Sequence, residues 1–281
     1  MILAIDIGNT NTHLAFFTGP DRIIASESIP NTSLNKTFLS KVLDINGGNK
    51  IISKVKTILM ASTNPEVEPI ITEWAKKVFK IKPLRAGKPS RIIDTARSSG
   101  DFDIPITNRT DAPAKVGKDR LLNALAARQI VKGKHPILVI SCGTAITFDI
   151  VSHKGEFLGG AIAPGISMMA KALYQNCALL PWVKLPSKKP VALGRNTQDA
   201  IISGVYFGGA GLVRNIIHEL IKGLPARTTR SDGKIKPSGL RIILTGGDAE
   251  LVNSALPLKG KIIPDLTLRG LVWAYLSKSK T

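Results

Sequence analysis

At 281 residues the chain can form one large domain or two of ordinary size, and 43% hydrophobic residues suffice for a sizeable core. Lys and Arg number 39 against 20 Asp and Glu, a net charge of +19 that attracts anions. The basic residues are scattered and only 5% of residues are aromatic, which argues against a stacking platform and a specific nucleic-acid partner. No run approaches the ~20 apolar residues that span a bilayer. The N-terminus lacks a secretory n-region, and Cys142 and Cys177 show neither metal spacing nor a disulfide framework, so a cytoplasmic protein without a membrane partner is expected.

The apolar run Ile2–Ile7 reads as a strand, and after G-N-T-N residues 12–17 read as a second. T-G-P-D at 18–21 turns the chain into a third strand at 22–28. Asn31 or Ser33 is placed to cap an amphipathic helix to about Leu43. Residues 57–61 read as a buried strand and 65–79 as a helix opened by proline. A turn-rich stretch, 105–116, precedes a helix over about 119–131. Strand signals return at Ile137 and at 147–151, and G-G-A-I-A-P-G-I at 159–166 leads into a helix from about Met168. A long helix rich in small residues covers 197–221, followed by a polar basic loop at 225–239. A strand at 240–244 ends in T-G-G-D, and 267–276 forms the last helix.

The opening phrase recurs half a chain later. I-L-A-I-D-I-G-N-T-N-T-H from Ile2 aligns with I-L-V-I-S-C-G-T-A-I-T-F from Ile137, sharing Ile, Leu, Ile, Gly and Thr at corresponding places. A repeated strand, glycine turn and strand argues for duplicated α/β halves around a cleft. The first half has Asp6 where the second has Ser141.

In the loop Asp6, Ile7, Gly8, Asn9, Thr10, Asn11, Thr12, the glycine permits a tight turn whose amides and hydroxyls can face a polyphosphate. Asp6 can hold magnesium directly or through water. Gly143 and Thr144 supply a second loop, and no Walker sequence is present. In V-G-K-D-R-L-L-N, Gly117 allows close backbone approach, Arg120 can grip a carboxylate by two parallel hydrogen bonds, and Asp119 is either a helix-start carboxylate or a base for an attacking hydroxyl. Gly246 and Gly247 either leave flat space for an adenine ring or form a strand–helix turn capped by Asp248, while Asn196 and Thr197 can cap a helix with Thr197 spare for a ligand. None of the four histidines shows a pairing pattern.

Taken together, D-I-G-N-T, G-K-D-R-L-L-N-A, C-G-T-A-I-T-F-D, G-G-A-I-A-P-G, L-G-R-N-T-Q-D-A-I and T-G-G-D resemble the type III pantothenate kinase family in order and spacing, across almost the whole chain. The resemblance implies an α/β fold of two ribonuclease-H-like, actin-like ATPase domains flanking a central cleft, set here at 1–115 and 116–281 with the final helix able to pack back on the first domain. It also implies a homodimer, and transfer of phosphate from ATP with magnesium to the primary hydroxyl of pantothenate, the first step of coenzyme A synthesis. By matching motif, Asp6 to His13 becomes the first ATP loop and Thr144 part of the second. Gly117, Lys118, Asp119 and Arg120 become the pantothenate site with Asp119 as proton acceptor, and Thr197 a pantothenate contact from across the dimer interface. Two positions depart from the pattern. Ser141 replaces the aspartate that binds potassium or ammonium, and Thr110 replaces a tyrosine lining the pantothenate pocket. A kinase of the same fold for another small hydroxy acid, or a silent homologue acting as a binding or regulatory protein, are the alternatives that these departures keep open.

Overall fold

A computed structural model of the chain describes residues 1–34, 49–87, 101–186, 188–222, 239–256 and 259–278. In chain order the strands are β1 (Ile2–Ile7), β2 (Asn11–Gly19), β3 (Arg22–Pro30), β4 (Thr57–Ser62), β5 (Leu84–Arg85), β6 (Ile137–Cys142), β7 (Ala145–Val151), β8 (Phe157–Pro164), β9 (Arg241–Thr245) and β10 (Lys261–Ile262). The helices are α1 (Asn49–Ile52), α2 (Glu68–Phe79), α3 (Lys118–Ile130), α4 (Ile166–Asn176), α5 (Thr197–Lys222), α6 (Ala249–Ala255) and α7 (Leu266–Lys278). The chain divides into two units. Met1–Lys132, Gly155–Gly159 and Asp265–Thr281 form the first, and Gly133–Lys154 with Gly160–Pro264 form the second.

The first unit is built on a five-stranded sheet in the order β3-β2-β1-β4-β5, with β1 antiparallel to β2 and parallel to β4. Strand alternation sends Leu3, Ile5, Ile7, Leu14, Phe16, Ile58 and Met60 to one face, where they form a core with Ile71, Trp74 and Phe79 of α2. The other face carries Ala4, Asp6, His13, Ala15 and Ala61 by the same alternation. α7 packs against β1, β2 and β4, and α3 packs against both β4 and α7. The α3–α7 approach is close because residue 270 is glycine, since a Cβ there would strike the Leu122 backbone. Thr267 Oγ1 donates to Asn123 Oδ1 at 2.9 Å across the same crossing.

The second unit repeats the plan with a sheet in the order β10-β9-β6-β7-β8. β6 is antiparallel to β7 and parallel to β9, as β1 is to β2 and β4. Leu138, Ile140, Cys142, Ile146, Phe148 and Ile150 form its core with side chains of α4, α5 and α6. α5 is long and apolar enough to cross a membrane by length and composition. Here Ile201, Val205, Val213, Ile217 and Ile221 spend that hydrophobicity inside the core.

Several expectations shift. The anticipated boundary at 115/116 moves, because α3 packs on α7 and β4 and so belongs, with α7, to the first unit. Residues 159–166, given no element of their own ahead of the helix, prove to be mostly strand. They lie largely in β8, whose pair of glycines obscured the strand pattern, and α4 starts at Ile166 rather than Met168. Asn31–Ser33 forms a single 3-10 turn, and the rest of the helix expected to Leu43 lies outside the described residues, as does nearly all of the basic loop at 225–239.

Candidate functional site

In the first unit, β1 ends at Asp6 and Ile7, and the Gly8 N–H donates to the Asn11 carbonyl at 2.9 Å to close the turn. Ile7 itself points into the core, so its part in the loop is backbone only. Asn31 then ties the loop down. Its Nδ2 donates to the carbonyls of Gly8 at 2.9 Å and Asn9 at 3.1 Å, its Oδ1 accepts from buried Thr12 at 2.9 Å, and its N–H donates to the Thr10 carbonyl. On the far side, the N–H and Oγ1 of Thr63 both donate to the Ile7 carbonyl. The loop is therefore anchored by two elements distant in sequence.

Asp6 lies directly across the β1–β2 ladder from His13. Desolvation raises the Asp6 carboxyl from its ordinary 3.8 to about 7, and the negative charge of Asp119 adds to the rise. His13 is moved the other way by desolvation, a shift opposed by Asp265, which adopts a left-handed backbone (φ 57°) just ahead of α7. Asp119 lies in the first turn of α3 after Gly117, the N-cap. A Cβ on Gly117 would collide with the Asp119 carboxylate, so glycine makes the room into which that side chain folds. Desolvation raises the Asp119 carboxyl, while the Arg120 and Asp119 N–H groups and the Arg120 charge partly offset it. Two carboxylates within electrostatic reach, both resisting ionisation, form a site suited to a cation and to proton transfer. Among the described residues no three His, Cys, Asp or Glu side chains cluster as a metal cage. A magnesium ion, which keeps waters and uses one or two carboxylates plus phosphate oxygens, fits Asp6 better than a metal needing a full protein cage.

Lys118 and Arg120 flank Asp119 and are half-buried. The Arg120 guanidinium lies over the Phe157 ring, 5.5 Å from its centroid. Thr110 turns its Oγ1 to Asn108 Oδ1 at 2.8 Å, and its N–H donates to the same oxygen at 3.1 Å. Its methyl is left facing Gly159, at 3.4 Å from where a Cβ would stand, and Gly159 itself has φ of 108°. The position expected to hold a tyrosine thus presents a methyl group.

In the second unit the loop after β6 is one residue shorter, with the Gly143 N–H donating to the Ala145 carbonyl at 3.1 Å. The Gly165 N–H donates to the Thr144 carbonyl, and a Cβ on Gly165 would collide with the carbonyls of Gly143 and Thr144, so P-G ahead of α4 lets the helix start press on the loop. Gly246, at φ 94°, likewise comes against the Cys142 carbonyl, which accepts from the Asp248 N–H at 3.1 Å. A Cβ on Gly247 would meet nothing within 4 Å. Gly143, Thr144, Gly246 and Gly247 thus gather at the C-terminal ends of the parallel strands β6 and β9, where ligands of α/β sheets bind. Cys142 takes no part as a nucleophile: it is buried, and desolvation and the Asp248 charge push its thiol up to about 12.

Ser141 faces Thr147 across β6–β7, away from the core. Buried Asp149 shares that face two cross-strand pairs further from the loop, and its Oδ2 accepts from Thr147 Oγ1 at 3.2 Å. No carboxylate stands at 141 itself, so the donor set at that position does not fit a cation that needs a counter-charge there. Asn196 caps α5, its Oδ1 accepting from the Asp199 N–H at 2.9 Å. That leaves Thr197, exposed at the first position of α5, on the edge of an apolar groove of about 560 Å³ lined also by Met169, Leu173 and Leu180.

Two contributors were not legible as such. Asn31 reads from sequence as a helix cap, and only the β2–β3 register carries it to the loop. Phe157 has no signal beyond an aromatic residue before G-G.

A family model described as type III pantothenate kinase matches residues 2–219. The chain is 33% identical over 276 residues to the type III pantothenate kinase of Cereibacter sphaeroides strain ATCC 17025, covering 97% of this chain and 96% of that protein. It is 32% identical over 284 residues to the enzyme of that name from Dehalococcoides mccartyi strain CBDB1, covering 98% and 95%. Among solved structures, one from Campylobacter jejuni described as a Baf family transcriptional activator matches 99% of this chain and 100% of its own, with TM-score 0.53 and 19% identity. A Sinorhizobium meliloti structure described as a 2-dehydro-3-deoxygalactonokinase matches 99% of both chains, with TM-score 0.50 and 13% identity. These structures speak for the fold alone, the two-domain fold of actin-like ATPases and sugar kinases. With a family model spanning most of its length and full-length relatives at one-third identity, the chain belongs to the type III pantothenate kinase family.

Proposed function

We propose that this protein phosphorylates the primary hydroxyl of pantothenate with ATP, the first step of coenzyme A synthesis, acting in the cytoplasm. The observation that carries the chemistry is the pair Asp6 and Asp119, two desolvated carboxylates of raised pKa in one unit. Asp119 accepts the proton of the attacking hydroxyl as the oxygen–phosphorus bond forms and the bond to ADP breaks. Its desolvation makes it a better base than an ordinary surface aspartate. Asp6 holds magnesium, which when bound neutralises phosphate charge. The N–H groups and hydroxyls of Gly8, Asn9, Thr10 and Asn11 take the phosphates, and His13 stands beside them. In the second unit Gly143 and Thr144 are assigned to phosphate, and Gly246 and Gly247 to adenine. Gly117, Lys118 and Arg120 bind the acceptor, Arg120 taking its carboxylate, with Thr110 as a pocket wall.

The working form is a homodimer, in which Thr197 of one protomer reaches the acceptor held by the other. The groove beside Thr197 and the exposed Tyr174, Leu179, Trp182 and Leu193 of the same unit supply apolar surface for that contact. The monovalent-cation position is weakened by Ser141, so little potassium dependence is expected.

Incubating purified protein with Mg-ATP and pantothenate, and following phosphorus NMR, tests the reading. Formation of 4'-phosphopantothenate supports it. Product only with another small hydroxy acid would redirect the substrate, and nucleotide binding without any transfer would indicate a binding protein.

A further inference from the structure

Gly155–Gly159 belongs to the first unit although the residues on both sides belong to the second. At its centre Phe157 is fully buried. Its N–H donates to the Thr107 carbonyl at 2.9 Å, and its carbonyl accepts from the Arg109 N–H at 2.9 Å. The Arg109 guanidinium pairs with Glu156 at 2.7 Å, clamping the same two segments from outside. The Phe157 backbone is therefore tied to the 107–110 segment that carries Thr110, and burial confines its ring. Over that ring lies Arg120, one residue after the proposed base.

An arginine side chain has several soft torsions, and a guanidinium that must meet a carboxylate in a fixed plane gains from a surface that limits them. A desolvated ring face attracts the cation and sets its height without using any of its N–H donors. We propose that Phe157 is a positioning residue of the acceptor site, holding the Arg120 guanidinium in register with Asp119 and Thr110 so that it receives the acceptor carboxylate. The inference rests on the reading of Arg120 as the pantothenate contact.

Calorimetric titration of pantothenate and of Mg-ATP into the wild type, Phe157→Leu, Phe157→Tyr, Arg120→Ala and the double variant Phe157→Leu/Arg120→Ala tests it. Loss of the ring face weakens pantothenate about 5- to 30-fold in Phe157→Leu, leaving Mg-ATP affinity unchanged, and Phe157→Tyr restores binding. The double variant is no weaker than Arg120→Ala alone, because Phe157 acts only through Arg120. Parallel weakening of both ligands, or a further loss in the double variant, overturns the proposal. The Arg120 Nε–H proton resonance gives a readout independent of any ligand, and of whether Phe157→Leu folds. A ring-current shift in the wild type supports the pairing, and a random-coil position overturns it. A wild type that binds no pantothenate contradicts the substrate assignment, while the Arg120 resonance still decides the pairing.

Discussion

The two sheets share an order and a hairpin at their centre, yet they differ in what that hairpin presents. β1 and β2 are joined by a turn with a Gly8-to-Asn11 hydrogen bond, and β6 and β7 by one with a Gly143-to-Ala145 bond. The missing residue shifts the ladder by one. Asp6 faces His13, but the matching Ser141 faces Thr147, the residue that aligns in sequence with Thr12. Because side chains alternate, a slip of one residue sends Thr12 to the core side, where it bonds Asn31, and Thr147 to the opposite side beside Ser141. The two copies thus share a sheet plan and differ in the side chains beside the turn. The first copy has a carboxylate, Asp6, at the place where the second has the neutral Ser141, and the second copy's buried carboxylate, Asp149, stands two cross-strand pairs along.

If the chemistry resides in the first copy, removing its base has the largest effect. Asp119→Asn is expected to cut turnover about 10²-fold or more while nucleotide titration stays near the wild-type value. A variant keeping over half its turnover would take Asp119 out of that role.

Asp6→Asn is expected to weaken magnesium-dependent ATP binding, and its stability should shift in a telling direction. Because the folded-state pKa is raised, the native protein keeps a proton that the unfolded chain has lost between the ordinary 3.8 and about 7. Stability of the metal-free protein therefore falls with rising pH across that window and stays low above it. Asparagine carries no charge to desolvate, so the variant should gain on the order of 1–3 kcal/mol at pH 8 and nothing near pH 3.5. Urea unfolding in chelator at the two pH values reads this; equal stability changes at both would mean Asp6 is an ordinary turn residue.

Asn31→Ala probes the anchor of the charged loop. Losing its side-chain hydrogen bonds to Gly8, Asn9 and Thr12 should cost about 1–3 kcal/mol and raise KM for ATP more than KM for pantothenate. Equal rises in both constants would reduce Asn31 to general support.

The smallest effect is expected in the second copy. Ser141→Asp restores a charge beside the second loop, and activity should gain a response to potassium over sodium that the wild type lacks. Strong potassium activation of the wild type would show that Ser141, with neighbouring oxygens, still completes a cation site.

Much of this was legible because strand cores and glycine turns are local signals. The repeat at Ile2 and Ile137, the loop residues and the helix start at G-K-D-R all fall where alternation and capping put them. The one-residue slip was not legible: alignment pairs Thr12 with Thr147, and only hydrogen-bonded register tells which face each takes. Nor was the membership of α3, which is set by its crossing with α7 at Gly270, a contact between segments far apart in sequence. Asn31 and Phe157 act by reaching residues that sequence does not place beside them.

Asp6, desolvated beside Asp119, is the side chain on which the assigned chemistry turns. Carbon NMR of the Asp6 carboxyl in the metal-free protein tests this most directly. Titration with a midpoint near 7, falling when Mg-ATP is added, is the result expected. A midpoint at the ordinary 3.8, unmoved by Mg-ATP, would contradict it.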